Sequence, residues 1–198
     1  MGLLLINRGS HCRYSSYNNY MKLYFARHGH TSANINARPS KVNSEIDEPL
    51  DSLGQEQAHH LAEQLKDVKF DAIISSPLKR AYETAEITDT YHSLDIIIDP
   101  SWREREIGGI YMDIEQWNDI FNFNKSIQLD HGEDLSDFFK RVYDAVDDLK
   151  LKYANKTILV VSHGGVHSAL YAYANKLELT GNIRVHPIRN CEYHIYDL

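Results

Sequence analysis

Leu23-Tyr24-Phe25-Ala26-Arg27-His28-Gly29-His30-Thr31-Ser32-Ala33-Asn34 is an apolar run that stops abruptly at Arg-His-Gly. The run reads as a short buried strand, and the loop past the carboxyl end of a strand is where open α/β sheets bind ligands. A histidine there, between an arginine and a glycine, suggests a reactive imidazole beside an anion, with glycine allowing a tight turn or a close approach. Alone the pattern is weak, so its meaning depends on what the rest of the chain supplies.

Three later stretches repeat the arrangement. Phe70 to Ser75 is a short predicted strand followed by Ser75-Ser76-Pro77-Leu78-Lys79-Arg80. Ser76-Pro77 reads as N-cap and first residue of a helix running from Leu78 to about Thr88. Leu94 to Ile98 predicts a third strand, ended by Asp99-Pro100 and followed by Trp102-Arg103-Glu104-Arg105-Glu106-Ile107-Gly108. Thr157 to Val161 is a continuous apolar run, as expected of a strand buried on both faces, and Ser162-His163-Gly164-Gly165 follows it.

Helices separate these strands. Ser52 is the expected N-cap of the first, with Gln55 completing a capping box; Leu53, Ala58, Leu61, Ala62 and Leu65 form its apolar stripe. Leu135, Phe138, Val142, Ala145, Val146 and Leu149 mark a long amphipathic helix, and Val166 to Ala174 predicts another. Met112 to Phe121 carries a weaker helical pattern, and Cys191 to Tyr196 is the expected last strand. Alternating strands and helices predict a three-layer α/β/α domain with a mostly parallel central sheet.

Composition narrows the classes. The 198 residues suit one domain, and 42% hydrophobic and 25% charged residues are ordinary for a soluble globular protein. A net charge of −7 argues against nucleic acid as partner. No apolar run approaches the ~20 residues of a membrane helix. Cys12 and Cys191 make no disulfide framework, and a reduced, cytoplasmic setting is the simplest reading. Residues 1–20 differ from the remainder, apolar to Ile6 and then tyrosine-rich without periodicity. They are expected to be an N-terminal extension or leader, with Met21 opening a domain over 21–198 in which 105–131 could form a substrate lid.

If the strands are parallel, all four loops gather at one sheet edge, and two histidines, several arginines and a glutamate line one pocket. That set suits phosphoryl transfer, where catalysis is mainly positioning and charge stabilisation. Arg27 and Arg80 present planar forks to phosphate oxygens, a neutral histidine can carry the phosphoryl group, and a carboxylic acid can protonate the leaving oxygen.

The sequence resembles the histidine phosphatase superfamily, the phosphoglycerate mutase-like proteins, in its phosphatase branch. R-H-G-x-T-x-x-N is matched by Arg27, His28, Gly29, Thr31 and Asn34; P-L-x-x-x-G-x-x-Q-A by Pro49, Leu50, Gly54, Gln57 and Ala58. S-S-x-L-x-R-A-x-x-T-A is matched by Ser75, Ser76, Leu78, Arg80, Ala81, Thr84 and Ala85. Glu104 and Gly108 match the acid loop, Gly132-Glu133 the pair before the long helix, and Ser162 to Gly165 the late S-H-G-G. The resemblance implies a phosphoglycerate mutase-like fold and a phosphomonoesterase that needs no metal or other cofactor. It implies His28 as nucleophile, Glu104 as proton donor, and Arg27, Arg80 and His163 as the rest of the phosphate pocket. Asn34, Thr31 and Gly164 would be lesser substrate contacts, and the expected partner is a small phosphate ester. His30 stands where the family usually has Glu or Gln, and Ile110-Tyr111-Met112-Asp113 replaces the W-E-G of many phosphatases.

Each residue also has a plainer reading. His163 could merely cap its strand, Arg80 could pair with Glu83 or Glu86 on a surface, and Glu106 competes with Glu104 for the acid's role. Trp102, Tyr111, Trp117, Phe121 and Phe123 could line a lid or pack beneath a loop. Three rival functions stand beside the phosphatase: a phosphoglycerate mutase, a phosphate-binding module without activity, and a metal hydrolase using His28-x-His30 and His163-x-x-x-His167.

Overall fold

A computed structural model describes residues 20–32, 42–43, 47–110, 119–127, 129, 131–184 and 186–198. Alternating apolar side chains cover both faces of the central strands, and that alternation builds the layers. In β1 (Lys22–Arg27), Leu23 and Phe25 point to one face while Ala26 points to the other; in β6 (Thr157–Ser162), Ile158 and Val160 oppose Leu159 and Val161. β3 (Ala72–Ser75) and β4 (Ile96–Ile98) complete the parallel part, and β7 (Tyr193–Asp197) runs antiparallel beside β1. The order is β4-β3-β6-β1-β7, so the expected mostly parallel sheet is present. A separate short pair joins β2 (Val42–Asn43) to β5 (Gly109–Ile110).

Four helices cover the sheet among the described residues: α1 (Ser52–Leu65), α2 (Lys79–Thr88), α3 (Leu135–Lys152) and α4 (Gly164–Ala174). Leu61 and Leu65 of α1 and Ala81 and Ala85 of α2 pack with Ile73, Leu159 and Val161 on one face. Phe138, Val142 and Val146 of α3 and Val166, Ala169 and Leu170 of α4 pack with Leu23, Phe25 and Val160 on the other. Trp102 and Phe121 are buried in that second core and Phe123 packs against it, so packing rather than a lid accounts for these three aromatics. No helix among the described residues is long and apolar enough to cross a membrane.

Several boundaries differ from the sequence reading for identifiable reasons. The N-cap of α1 is Asp51, not Ser52: its extended backbone and its side chain, which accepts from the Gly54 N–H at 2.9 Å, close the first turn. Ser76 is not the N-cap of α2 either. Leu78 holds that position with extended backbone, and the Lys79 N–H is capped instead by Asp47 Oδ1 at 2.8 Å. β4 starts at Ile96 because Ser93 turns at φ 58° and the Leu94 N–H goes to Asp89 Oδ1 at 2.9 Å. β7 starts at Tyr193 because Cys191, at φ 54°, is still in the turn, donating its N–H to the Arg27 carbonyl at 3.0 Å. Residues 1–19, Asn34, and most of the helix expected over Met112 to Phe121, with Tyr111 and Trp117, lie outside the described residues.

The core holds three histidines in neutral form. His28 and His163 are held well below the ordinary imidazole pKa, chiefly by burial, and His167 is lowered to about 4 for the same first reason. The unfolded chain takes up these protons near pH 6.5, whereas the folded chain does not until well below it. Stability is therefore full above about pH 7 and falls as pH drops through 6.5, by on the order of 1 kcal/mol per histidine between pH 7.5 and 5.5. Urea midpoints at the two pH values check this. His167→Gln should keep a bond to the Tyr196 hydroxyl, which lies 2.9 Å from Nε2, and remove about a third of the dependence; identical midpoints at both pH values would refute it.

Candidate active site

The backbone carries each strand into the same edge. Past the strand ends, the His28 N–H donates to the Ser162 carbonyl (2.9 Å), the Ser76 N–H to Val161 (3.0 Å) and the Asp99 N–H to Ser75 (3.0 Å). This ladder brings the loops after β1, β3, β4 and β6 together, as the parallel arrangement predicts.

His28 is 5% exposed. Its Nδ1 lies 2.7 Å from the Gly29 carbonyl, which can only accept, so the ring proton is on Nδ1. Nε2 therefore presents a lone pair, and the Arg80 Nε–H donates to it at 3.3 Å. Burial, then Arg80, then Arg27 disfavour a proton on this ring, so it is neutral near pH 7. The turn is set by close approach: a Cβ on Gly29 would lie 2.6 Å from the Gly54 carbonyl oxygen. Thr84 Oγ1 accepts from the Gly29 N–H at 3.0 Å, and the Asn190 side chain donates to the His28 carbonyl at 3.0 Å.

His163 faces His28 with ring centroids 5.1 Å apart. Ser76 Oγ lies 2.8 Å from His163 Nε2 and accepts the Leu78 N–H at 3.3 Å. His163 Nδ1 is buried and has no partner among the described residues. Arg27 donates from Nη1 to the Ile188 carbonyl at 2.9 Å, while its buried Nε–H has no partner among the described residues. Buried polar atoms left unpaired are costly unless a ligand takes them. Burial is the first influence lowering the pKa of both Arg27 and Arg80, and Glu104 is the first that opposes it.

Glu104 is held from two directions: the Gly165 N–H, in the first turn of α4, donates to Oε2 at 2.9 Å and its neighbour's Arg105 N–H to Oε1 at 3.0 Å. The fit requires glycine, since a Cβ on Gly165 would lie 2.2 Å from Glu104 Oε1 and 2.9 Å from the Phe121 ring. Glu106 instead faces Arg103 at 3.5 Å in an exposed pair. Thr31 is buried close by in the chain, and Gly164 opens α4 with Arg27 Nε 3.7 Å from where its Cβ would stand. The structure thus brings His28, Arg27, Arg80, Glu104, His163 and Gly164 together; Asn34 lies outside the described residues.

The proposed metal pairs are engaged elsewhere. His30 Nδ1 lies 2.7 Å from Asp51 Oδ2, and His167 is turned into the core against Phe25 and Tyr196. Among the described residues no group of three His, Cys, Asp or Glu side chains is arranged to hold a metal ion. Asn190 was not foreseen, since nothing near it in the chain signals a bond to residue 28.

Fold and pocket together define an α/β protein with two histidines, two arginines and a glutamate gathered at the carboxyl edge of its sheet. A model of the histidine phosphatase superfamily (branch 1) matches residues 23–198, and the chain belongs to that superfamily. It is 34% identical over 145 residues to an uncharacterized phosphatase of Bacillus subtilis strain 168, PhoE, over 73% of this chain and 72% of that one. It is 32% identical over 168 residues to phosphoglycerate mutase-like protein 4 of Arabidopsis thaliana, over 78% of this chain and 71% of that one. A mycobacterial glucosyl-3-phosphoglycerate phosphatase in complex with VO3 superposes with a TM-score of 0.73 at 26% identity, over 88% of this chain and 90% of that one.

Proposed function

We propose that this protein is a cytoplasmic, metal-independent phosphomonoesterase that hydrolyses a small phosphorylated metabolite through a phosphohistidine. The observation that carries the reading is the set of groups gathered at one sheet edge: the His28 Nε2 lone pair, to which Arg80 Nε–H donates at 3.3 Å, and the buried Arg27 Nε and His163 Nδ1, which have no partner among the described residues. Phosphatases among the similar proteins support it.

In the first step Nε2 attacks phosphorus in line, the P–N bond forms, and the ester P–O bond breaks. Protonated Glu104 gives its proton to the leaving oxygen, so the product departs as a neutral alcohol. Arg80 exchanges its bond to Nε2 for one to a phosphoryl oxygen, joining Arg27 and His163. The ring acquires positive charge, which the Gly29 carbonyl stabilises through Nδ1–H. In the second step water attacks phosphorus and loses its proton to Glu104, the P–N bond breaks, and neutral His28 returns with inorganic phosphate. No step consumes a co-reactant other than water.

Hydrolysis of p-nitrophenyl phosphate by the purified protein in excess EDTA tests this reading. Turnover is expected to survive chelation. Turnover that disappears and returns with added divalent metal would favour the metal hydrolase instead, and none under either condition would point to a mutase or a binding module.

A further inference from the structure

Residues 103–108 carry Glu104 but have no regular secondary structure, so their backbone groups find partners outside any ladder. Several of those contacts come from one place. Arg141, on the second turn of α3, donates from Nη1 to the Ser101 carbonyl at 2.8 Å and to the Arg103 carbonyl at 3.1 Å. Its remaining fork is taken by Glu133, Nε to Oε1 at 2.8 Å and Nη2 to Oε2 at 2.7 Å. Glu133 also grips the loop with its backbone: its N–H donates to the Glu106 carbonyl at 2.7 Å, and its carbonyl accepts from Arg105 Nε at 3.0 Å. The contacts fall on residues 101, 103, 105 and 106, on both sides of Glu104 and never on it.

We propose that Glu133 and Arg141 are positioning residues for the proton donor. This rests on the reading of Glu104 as the acid. The bidentate pair fixes the guanidinium plane, which leaves one nitrogen pointing at the carbonyls of Ser101 and Arg103. The pair is only 20–26% exposed at its side chains, so solvent screens it less than a surface ion pair. Its effect is to hold the backbone of the loop while Gly165 and Arg105 hold the carboxyl group. A displacement of about 1 Å at such a group costs on the order of 100-fold in rate. That cost depends on how much the leaving oxygen needs the proton.

The test therefore compares two esters of the same shape, phenyl phosphate and p-nitrophenyl phosphate, using kcat/KM so that only binding and the first chemical step are read. Phenolate is a poor leaving group without a proton, whereas p-nitrophenolate leaves nearly unaided. Glu133→Gln and Arg141→Lys are each expected to lower kcat/KM for phenyl phosphate by roughly 10–100-fold and for p-nitrophenyl phosphate by less than about 3-fold. Glu104→Gln sets the scale, with the same selectivity and a larger loss. Equal losses on both esters in the Glu133 and Arg141 variants would overturn the proposal, because general loosening of the fold does not discriminate between leaving groups. No loss on either would overturn it too. If Glu104→Gln itself shows no selectivity, the acid assignment fails first and the positioning role falls with it. Thermal melts of all three variants identify any that is unfolded; if Glu133→Gln is, Arg141→Lys, which keeps the charge and a donor for the loop, carries the test.

Discussion

His28→Ala is expected to lower kcat/KM on any phosphate ester by about 10⁴-fold or more and to leave the fold in place. The magnitude follows from what the ring supplies. His28 Nε2 presents a lone pair, because Nδ1 keeps its proton on the Gly29 carbonyl and Arg80 only donates. The Nε2 of His163 is engaged by Ser76 Oγ at 2.8 Å. Alanine removes the nucleophile without introducing charge, and Arg27 and Arg80 remain to bind phosphate. Binding of inorganic phosphate should thus persist while turnover vanishes. Quenching the wild-type protein with a radiolabelled phosphate ester under alkaline denaturing conditions should leave label on the chain, and the variant should hold none. Retention of more than about 1% of turnover in the variant would reject the covalent mechanism.

The second large effect separates two glutamates that stand two residues apart. Glu104→Gln is expected to cost about 10²–10⁴-fold on esters with poor leaving groups, and Glu106→Gln to stay within about 3-fold. Glutamine matches the shape of Glu104 but has one acceptor oxygen where the site uses two, for the Gly165 and Arg105 N–H groups. It also has no acidic proton to give. Glu106 makes an exposed 3.5 Å contact with Arg103, of a kind that contributes little. Parallel kcat/KM measurements on the two variants decide the assignment, and a greater loss at Glu106 would reverse it.

Much of the molecule was legible because its signals are local. The four strand runs, the apolar stripes of α1 and α3, and the charged or histidine-bearing segment after each strand can all be read within windows of a few residues. Errors came where a side chain answers to something distant. Ser76-Pro77 has the local chemistry of a helix start, yet the Ser76 hydroxyl pairs with His163, 87 residues away in sequence, and α2 begins three residues later at Lys79. Ser52 and Asp51 are both good caps, and the backbone direction entering α1 selected Asp51. Trp102 could line a lid or pack beneath a loop, and the short 3-10 turn at Pro100–Trp102 directs it into the core, as the packing reading has it.

By itself, then, the sequence determined the layered α/β architecture, the superfamily, and the residues that meet at the sheet edge. The physical reason is that periodicity and strand-end motifs are properties of neighbouring residues, and a parallel sheet necessarily collects its carboxyl-end loops. Tertiary structure alone decided the proton on His28, the pairing of Ser76 with His163, and the hold of Arg141 on the acid loop. The sequence favoured Glu104 over Glu106 by its spacing to Gly108, and the fold adds one contact to it, the N–H of Gly165 placed 61 residues further along the chain. Such contacts depend on where an irregular loop lies in space, and only the packed neighbours determine that.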